Sequence, residues 1–287
     1  MNIINPRTII VTALAVVALS ITSKTHAALT YTDGDLILGF RATGGTGGTT
    51  NVLFDIGSAA IFRDATTQLT LSIGNVGADL SAIFGASWNT RIDVDWSVSG
   101  TQFSAGNGFT TNRNLIATRA QGFPIAPLGS SNSTPWNKAT LSTQGGPALK
   151  LQQLGGKFGA GTTGGISGTD QIESTNAPGF GLIQPSTQNN SFEEFMAGGA
   201  QSTAGSSYAY FNGGVEGNFG NGTSGAALDL YYMVPGSGAG TYEGTFTIND
   251  NATITFTPTG VPEPGTATIL GLGCAALLTK RRRQVAA

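Results

Sequence analysis

The sequence predicts an all-β, mainly antiparallel protein: a β-sandwich or jelly-roll-like domain with a few short helices. Apolar and polar side chains alternate along several segments, as they do in strands with one solvated face. Glycine supplies 43 of 287 residues, which suits many tight turns. Only 10% of residues are charged, well under the ~25% of a typical domain. Because alternating faces need a covering layer, we expect two sheets packed face to face.

The predicted strands follow from this alternation in chain order. Segment 35–41 comes first, with Leu36, Leu38 and Phe40 on one face, and segments 51–56 and 68–73 repeat the pattern. The clearest strand is 91–99. It is expected to turn one set of residues inward (Ile92, Val94, Trp96 and Val98) and another toward solvent (Asp93, Asp95, Ser97 and Ser99). Segment 228–234 is a further strand, stopped by Pro235.

The final strands are predicted to form a hairpin, and helices are predicted to be short. Segments 245–248 and 253–256 are rich in Thr and aromatic residues and flank the turn sequence Asn249-Asp250-Asn251. Short helices are expected at 79–84, at 147–154 and after the capping-box match Ser191-Phe192-Glu193-Glu194. Gly-, Ser- and Thr-rich tracts at 43–50, 159–169 and 200–207 are predicted loops.

The N-terminal residues have the pattern of a secretory signal peptide. A short basic start through Arg7 precedes an apolar stretch at 9–19, and Thr25-His26-Ala27 is a small-x-small cleavage site. We therefore expect residues 1–27 to be removed by signal peptidase after translocon export, with cleavage at Ala27. The alternative is a retained N-terminal anchor.

The C-terminal residues combine a Pro-rich hinge, an apolar segment and a cationic cluster. Val261, Pro262, Glu263 and Pro264 come first, and residues 265–278 are apolar but, at ~1.5 Å per residue, span only ~20 Å as a helix. That is shorter than the ~30 Å hydrocarbon core, and segments of this length are commonly buried core helices. Four cations then follow directly and predict a cytoplasmic stop: Lys280, Arg281, Arg282 and Arg283.

This order of motifs resembles the PEP-CTERM sorting signal of Gram-negative bacteria that make extracellular polysaccharide. The resemblance rests on residues 261–287 and implies export, a transient inner-membrane anchor through a C-terminal transmembrane sorting helix, and cleavage by an exosortase near Pro262-Glu263-Pro264. Delivery to the cell surface or the extracellular space would follow. The opening segment 34–41 and the closing segment 244–247 also look like the ends of PEP-CTERM ectodomains. The predicted organisation is signal peptide 1–27, β-rich secreted ectodomain 28–260 and sorting signal 261–287.

The ectodomain lacks the residues on which many catalytic classes depend. The chain's one histidine is His26 and its one cysteine is Cys274, and both lie in the segments expected to be removed or membrane-embedded. Ser-His-Asp and Cys-His catalysis, ordinary zinc, copper and haem sites, and disulfides are therefore not expected. We predict no catalytic residues, no metal site and no cofactor.

The charge of the ectodomain disfavours nucleic acid as a partner. Residues 28–260 carry eight cations and fifteen anions, and none of the cations lies after Lys157. Nucleic-acid binding requires a basic surface. An acidic surface suits solubility outside the cell, and it is also compatible with binding of divalent cations.

Carboxylates and turn oxygens are the candidate ligand groups that remain. Asp93 and Asp95 are expected ~7 Å apart on one strand face, where a carboxylate pair can bind calcium or catalyse glycoside hydrolysis. An exposed polar strand face explains them without a ligand and is the preferred interpretation. Asn249-Asp250-Asn251 offers hard oxygens in a turn, and Glu193 and Glu194 favour a helix N-terminus. The Gly-rich tract 44–48 lacks the Lys-Ser/Thr of a phosphate loop and is predicted to be a turn.

Tryptophans and sequons are the other candidate surface features. Trp96 alternates with core residues, so it is expected inside, whereas Trp136 is the tryptophan expected to be exposed, and Trp88 is undecided. An exposed tryptophan could stack on sugar rings, although packing is the preferred role even for Trp136. Asn-x-Ser/Thr sequons occur at four positions: Asn132, Asn189, Asn221 and Asn251.

Three classes of function remain open. The first is a structural protein of the cell surface or of an exopolysaccharide or biofilm matrix, without enzymatic activity. The second is a lectin-like carbohydrate-binding module, and the third is a carboxylate-based glycosidase. Because no strong catalytic constellation is present, the sequence favours the first.

Overall fold

The computed structural model describes residues 31–42, 44–48, 50–122, 125–155, 170–173, 215–220 and 227–260. These residues form a mainly antiparallel β structure with few helices, which confirms the all-β class. The signal peptide 1–27, the sorting signal 261–287 and the capping box at Ser191 lie outside the described residues. None of the described helices is long and apolar enough to cross a lipid bilayer.

The strands and helices have the following bounds. Ten strands are described: β1 (Asp35–Ala42), β2 (Thr50–Ser58), β3 (Leu69–Thr70), β4 (Val94–Gln102), β5 (Asn114–Ala120), β6 (Asp170–Glu173), β7 (Gly217–Asn218), β8 (Ala227–Met233), β9 (Thr241–Ile248) and β10 (Ile254–Pro258). Three α-helices accompany them: α1 (Ala59–Arg63), α2 (Val76–Phe84) and α3 (Leu141–Gly155). A 3₁₀ turn covers Trp88–Thr90.

The strands form one sheet, where two stacked sheets were expected. Their order is β3-β10-β9-β8-β5-β4-β1-β2-β6, with β7 paired to β4 beside this path. The pairings are antiparallel throughout. β5 was not predicted, yet it joins the halves of the sheet, pairing with β4 on one side and β8 on the other.

The sheet curls, which is how one layer covers its own apolar side chains. Phe62 belongs to α1, which directly follows β2. Its ring lies 5.3 Å from both Phe246 on β9 and Phe256 on β10. Because β2 and β9 are separated by four strands in the sheet order, these contacts require the sheet to bend round α1.

The face enclosed by this curl, here called the first face, carries the larger core. Alternate residues of the strands meet there, as the period-two pattern predicted. The rings of Phe40, Trp96 and Phe219 stack at 6.1 and 6.3 Å, and α1, α2 and the 3₁₀ turn add apolar side chains. The strand predictions for β1, β2, β8 and the β9–β10 hairpin are confirmed, whereas segment 68–73 is a strand only at Leu69–Thr70.

The opposite face, here called the second face, is covered as well, so the expectation of a solvated face was wrong. Ser97 and Ser99 were predicted to face solvent and are buried. Helix α3 packs on β4 and β5, and a second apolar cluster forms there. It contains Ile37, Leu53, Leu115, Ala117, Trp136, Ala148, Leu151, Val215, Tyr231 and Met233. In a sheet with two covered faces, side chains still alternate from one face to the other. Polar side chains on the second face are then buried as well.

Two element boundaries also differ from the prediction. β4 begins at Val94, so Ile92 lies before it and is 74% exposed, although it was expected in the core. Helix α3 begins at Leu141, and Pro147, predicted at its start, lies inside it. The Thr140 hydroxyl, which accepts a hydrogen bond from the Thr143 amide at 3.3 Å, caps the helix earlier than the proline suggested.

Candidate functional site

Asp93 and Asp95 do not form a shared ligand site, because Arg91 binds Asp93 whereas Asp95 lies beside Arg41, an arginine whose two-point partner is Glu216. Arg91 donates to both oxygens of Asp93, at 2.9 and 2.6 Å, and this bonding lowers the pKa of Asp93. Asp95 lies 3.7 Å from Arg41. Burial raises the pKa of Asp95, with Arg41 opposing. Among the described residues, no group of three or more His, Cys, Asp or Glu is placed to hold a metal ion.

All three tryptophans are buried, which corrects the expectation for Trp136. Its indole Nε1 donates to the Thr118 carbonyl at 3.0 Å, and the Arg119 guanidinium lies 4.7 Å over its ring. Trp96 is in the core as predicted, and Trp88 is 3% exposed. The sequence could not show that the segment carrying Trp136 folds across the second face, because Ser133-Thr134-Pro135 reads locally as a surface turn.

The other predicted ligand groups that the structure describes lie in turns. The Asn249 and Asn251 side-chain oxygens both accept from the Thr253 amide, at 2.8 and 3.0 Å, and close the β9–β10 hairpin. Residues 44–48 form turns, as predicted. Glu193, Glu194 and the sequons at Asn189 and Asn221 lie outside the described residues, whereas Asn132 and Asn251 are exposed.

A buried hydrogen-bond network around Asp229 was not predicted. Five donors converge on this fully buried carboxylate: Gln121 Nε2, Thr245 Oγ1, Ser131 Oγ, and the amide and hydroxyl of Ser133. The Tyr231 hydroxyl joins the same serines at 2.6 and 2.9 Å. These bonds hold the 130–136 segment against β8. The network therefore has a structural role.

The most unusual carboxyl group in the described chain is that of Glu243, on a β-bulge. β9 pairs with β8 through Gly244 opposite Leu230 and Tyr242 opposite Tyr231, which leaves Glu243 as the extra residue. Gly244, next to it, has φ +154, and a Cβ there would lie 2.4 Å from the Thr257 carbonyl oxygen. The bulge therefore depends on this glycine and re-aims the Glu243 side chain.

Glu243 lies beside the end of α1 in a poorly solvated position. The residue is 9% exposed. Burial raises the pKa of Glu243 to about 7, Arg63 opposes this rise, and the negative charge of Asp64 adds to it. A carboxyl group with this pKa exchanges a proton near neutrality, which an ordinary glutamate does not.

Arg63 and Tyr232 complete the surroundings of Glu243. Arg63 binds both oxygens of Asp64, at 2.7 and 2.8 Å, and lies 4.6 Å over the Phe109 ring. Tyr232 on β8 interacts with Arg63, and burial raises the pKa of its phenol. In the sequence the one available signal was Glu243-Gly244 inside a strand pattern, since an isolated glycine there marks a bulge.

Comparison of the chain with known protein families, with curated protein sequences and with solved structures finds no match.

Proposed function

We propose that this chain is an exported structural protein of the cell surface or of an extracellular polysaccharide matrix. Its C-terminal segment holds it transiently in the inner membrane until an exosortase releases it. One observation carries the proposal: a Pro-Glu-Pro hinge, a short apolar stretch and the cluster Lys280–Arg283 follow one another within the last 27 residues. Residues 1–27, which match a signal peptide, support export.

The position of the sorting sequence relative to the fold supports release at Pro262-Glu263-Pro264. β10 ends at Pro258, and the Thr259 amide makes a last bond to the Glu243 carbonyl at 3.0 Å. Cleavage after that point leaves each described strand with its pairing. The hydrogen bonds among the described strands would therefore be kept in the released ectodomain.

The surroundings of the candidate ligand residues support a structural role over the two alternatives. A lectin-like site was expected to use Trp136, which is buried, or the carboxylates of Asp93 and Asp95, which are paired with arginines. A glycosidase at the same two carboxylates meets the same difficulty, because both already have cationic partners. We therefore propose that the ectodomain has a structural role and does not catalyse a reaction.

Mass spectrometry of the cell-surface protein tests the sorting proposal. In cells with an active exosortase, we expect a mature form that ends near Pro262-Glu263-Pro264. Alanine at these three positions should block cleavage without blocking export. Glutamine at Lys280–Arg283 should remove the cytoplasmic stop, since each cation costs ~2.5–3.5 kcal/mol to place in hydrocarbon, and leave the tail unprocessed.

Alanine at Thr266 and Thr268 provides the matched control, because these residues lie between the motif and the cation cluster. That variant should be processed like the wild type. A mature surface protein that retains residues 272–283 would replace the sorting proposal with a plain C-terminal anchor. The ectodomain role is tested separately on a glycan array, where tight binding to one defined glycan would favour the lectin-like alternative.

A further inference from the structure

The buried network around Asp229 brings a hydroxyl group, a carboxylate and a primary amide together. Thr245 Oγ1 on β9 donates to Asp229 Oδ1 on β8 at 2.9 Å, and the two residues are 1% and 0% exposed. The same hydroxyl oxygen lies 2.7 Å from the Tyr242 hydroxyl and 3.3 Å from Gln121 Nε2. Because its proton faces the carboxylate and a lone pair faces the Gln121 amide, Thr245 has the surroundings of an activated nucleophile.

The Gln121 amide, just after β5, is held as an acyl group would be before transfer. Its Oε1 accepts from the Ala126 amide at 2.9 Å, and this main-chain donor can stabilise negative charge that develops on the oxygen. Its Nε2 lies 3.3 Å from the carbonyl oxygen of Ser130, an exposed residue, so a leaving ammonia has a path to solvent. The carbon under attack, Cδ, is bonded directly to Nε2, and rotation about the Cγ–Cδ bond brings it toward Thr245 Oγ1.

We propose that Thr245 and Gln121 form an intramolecular ester cross-link, with Asp229 as the general base. Thr245 Oγ1 attacks Gln121 Cδ, and the hydroxyl proton passes to Asp229. The tetrahedral intermediate then collapses, the Cδ–Nε2 bond breaks, and Asp229 returns the proton to the leaving nitrogen. One amide and one hydroxyl group give one ester and one ammonia molecule, so the reaction consumes no oxidant and no cofactor.

The cross-link joins parts of the sheet that are distant in the sequence. Gln121 and Thr245 are 124 positions apart, and the bond between them spans β8, which lies between β5 and β9. Residues 28–260 contain no cysteine, so a disulfide cannot make this connection. The reaction occurs once in each chain and turns over no external substrate, which agrees with a structural role. It does not depend on the sorting proposal, since no residue of the tail takes part.

Peptide mapping of the full-length chain by mass spectrometry tests the cross-link. Cleavage after Lys, Arg and Glu gives peptide 120–138, which contains Gln121, and peptide 244–263, which contains Thr245. We expect one joined species whose mass is the sum of the two peptides less one ammonia molecule. Hydroxylamine, which cleaves esters, should separate them and leave a hydroxamate at position 121. If the two peptides occur only separately, each with its unmodified mass, the proposal is wrong.

Variants of the hydroxyl group identify the residue that reacts. Thr245→Ser keeps the hydroxyl group and should still give the joined species, whereas Thr245→Val should give only separate peptides. Thr247→Val is the matched control on the same face of β9, because the Thr247 hydroxyl bonds that of Thr255 at 2.7 Å. It should form the cross-link as the wild type does.

A variant of the base and a second buried amide complete the test. Asp229→Asn keeps the hydroxyl group and the Gln121 amide but removes the base, so we expect separate peptides. Gln144 is the internal control, because its Nε2 donates to the main-chain carbonyls of Arg113 and Met233 at 2.9 and 3.0 Å, and it should stay unlinked. Joined peptides in Thr245→Val, or their absence from Thr245→Ser, would overturn the assignment.

Discussion

Arg41 and Glu216, 175 positions apart in the chain, form a two-point ion pair at the edge of the second core cluster. The Nε–Oε1 distance is 2.7 Å, and Nη2 bonds the other carboxylate oxygen. The side chains are only 13% and 7% exposed. Together with the bond from the Thr118 hydroxyl to the Val215 carbonyl at 2.9 Å, this pair fastens residues 215–220 to the sheet.

Breaking this pair should be strongly destabilising. Glu216→Gln removes the charge of the two-point partner and leaves the Arg41 guanidinium with the Asp95 carboxylate at 3.7 Å. Removal of one member of a buried pair costs roughly 3–5 kcal/mol. Urea unfolding measures the loss in free energy of unfolding. Asp93→Asn provides the comparison, because that carboxylate is 32% exposed and Arg91 keeps the carbonyls of Gly44, Thr46 and Phe84 as acceptors. It should cost about 1 kcal/mol or less, and equal losses in the two variants would contradict the argument.

The Asp229 network predicts a second sensitive position. Asp229→Asn replaces an oxygen acceptor with an NH₂ group among five donors, so at least one buried donor loses its partner. Hydrogen bonds to charged groups contribute ~1.5–3 kcal/mol each, and we expect a loss of about 3 kcal/mol. Asp250→Asn, in the exposed hairpin turn, should change the free energy of unfolding by ~0.5 kcal/mol or less. Thermal and urea unfolding of the two variants make the comparison.

The β-bulge at Glu243 predicts that Gly244 cannot be replaced without a loss of stability. Gly244→Ala places a Cβ 2.4 Å from the Thr257 carbonyl oxygen and 2.6 Å from the Phe256 ring, at a φ of +154. The backbone must shift, and we expect a loss of about 2 kcal/mol or more, in the range of strained or overpacked sites. Gly122→Ala is the control, because nothing lies within 4 Å of its Cβ position. A Gly244→Ala protein as stable as the control would show that the bulge tolerates a side chain.

Stability should fall as the pH rises from 4 to 7. Burial raises the pKa of Asp55 from 3.8 to about 6 and that of Glu243 from 4.5 to about 7. A carboxyl group with a raised pKa in the folded state binds its proton more tightly there, so its contribution is complete below the unfolded pKa. It is lost as the pH passes through the folded pKa. Melting temperatures of the wild type and Asp55→Asn should differ least near pH 4, and the wild type should fall progressively below Asp55→Asn as the pH rises to 6. A difference between the two melting temperatures that stays constant from pH 4 to 6 would contradict the assignment.

Local patterns were sufficient for the strands of the first face. Leu36, Leu38 and Phe40 alternate with residues of the other face, and the order of residues alone places them on one side of β1. The same holds for the β9–β10 hairpin, where Asn249 to Asn251 supply the turn. The core position of Trp96 followed from its place between Val94 and Val98.

The sequence by itself therefore determined the all-β class, most strands and the absence of histidine and cysteine from residues 28–260. Only the tertiary structure decided that the strands form one curled sheet, that Ser97, Ser99 and Trp136 are buried, and that Glu243 lies on a bulge beside Arg63. The physical reason is the separation along the chain of the residues that interact. Alternation depends on neighbours two residues apart, whereas the cover of a face and the charge beside a carboxyl group depend on segments far apart in the chain, such as Arg63 and Glu243.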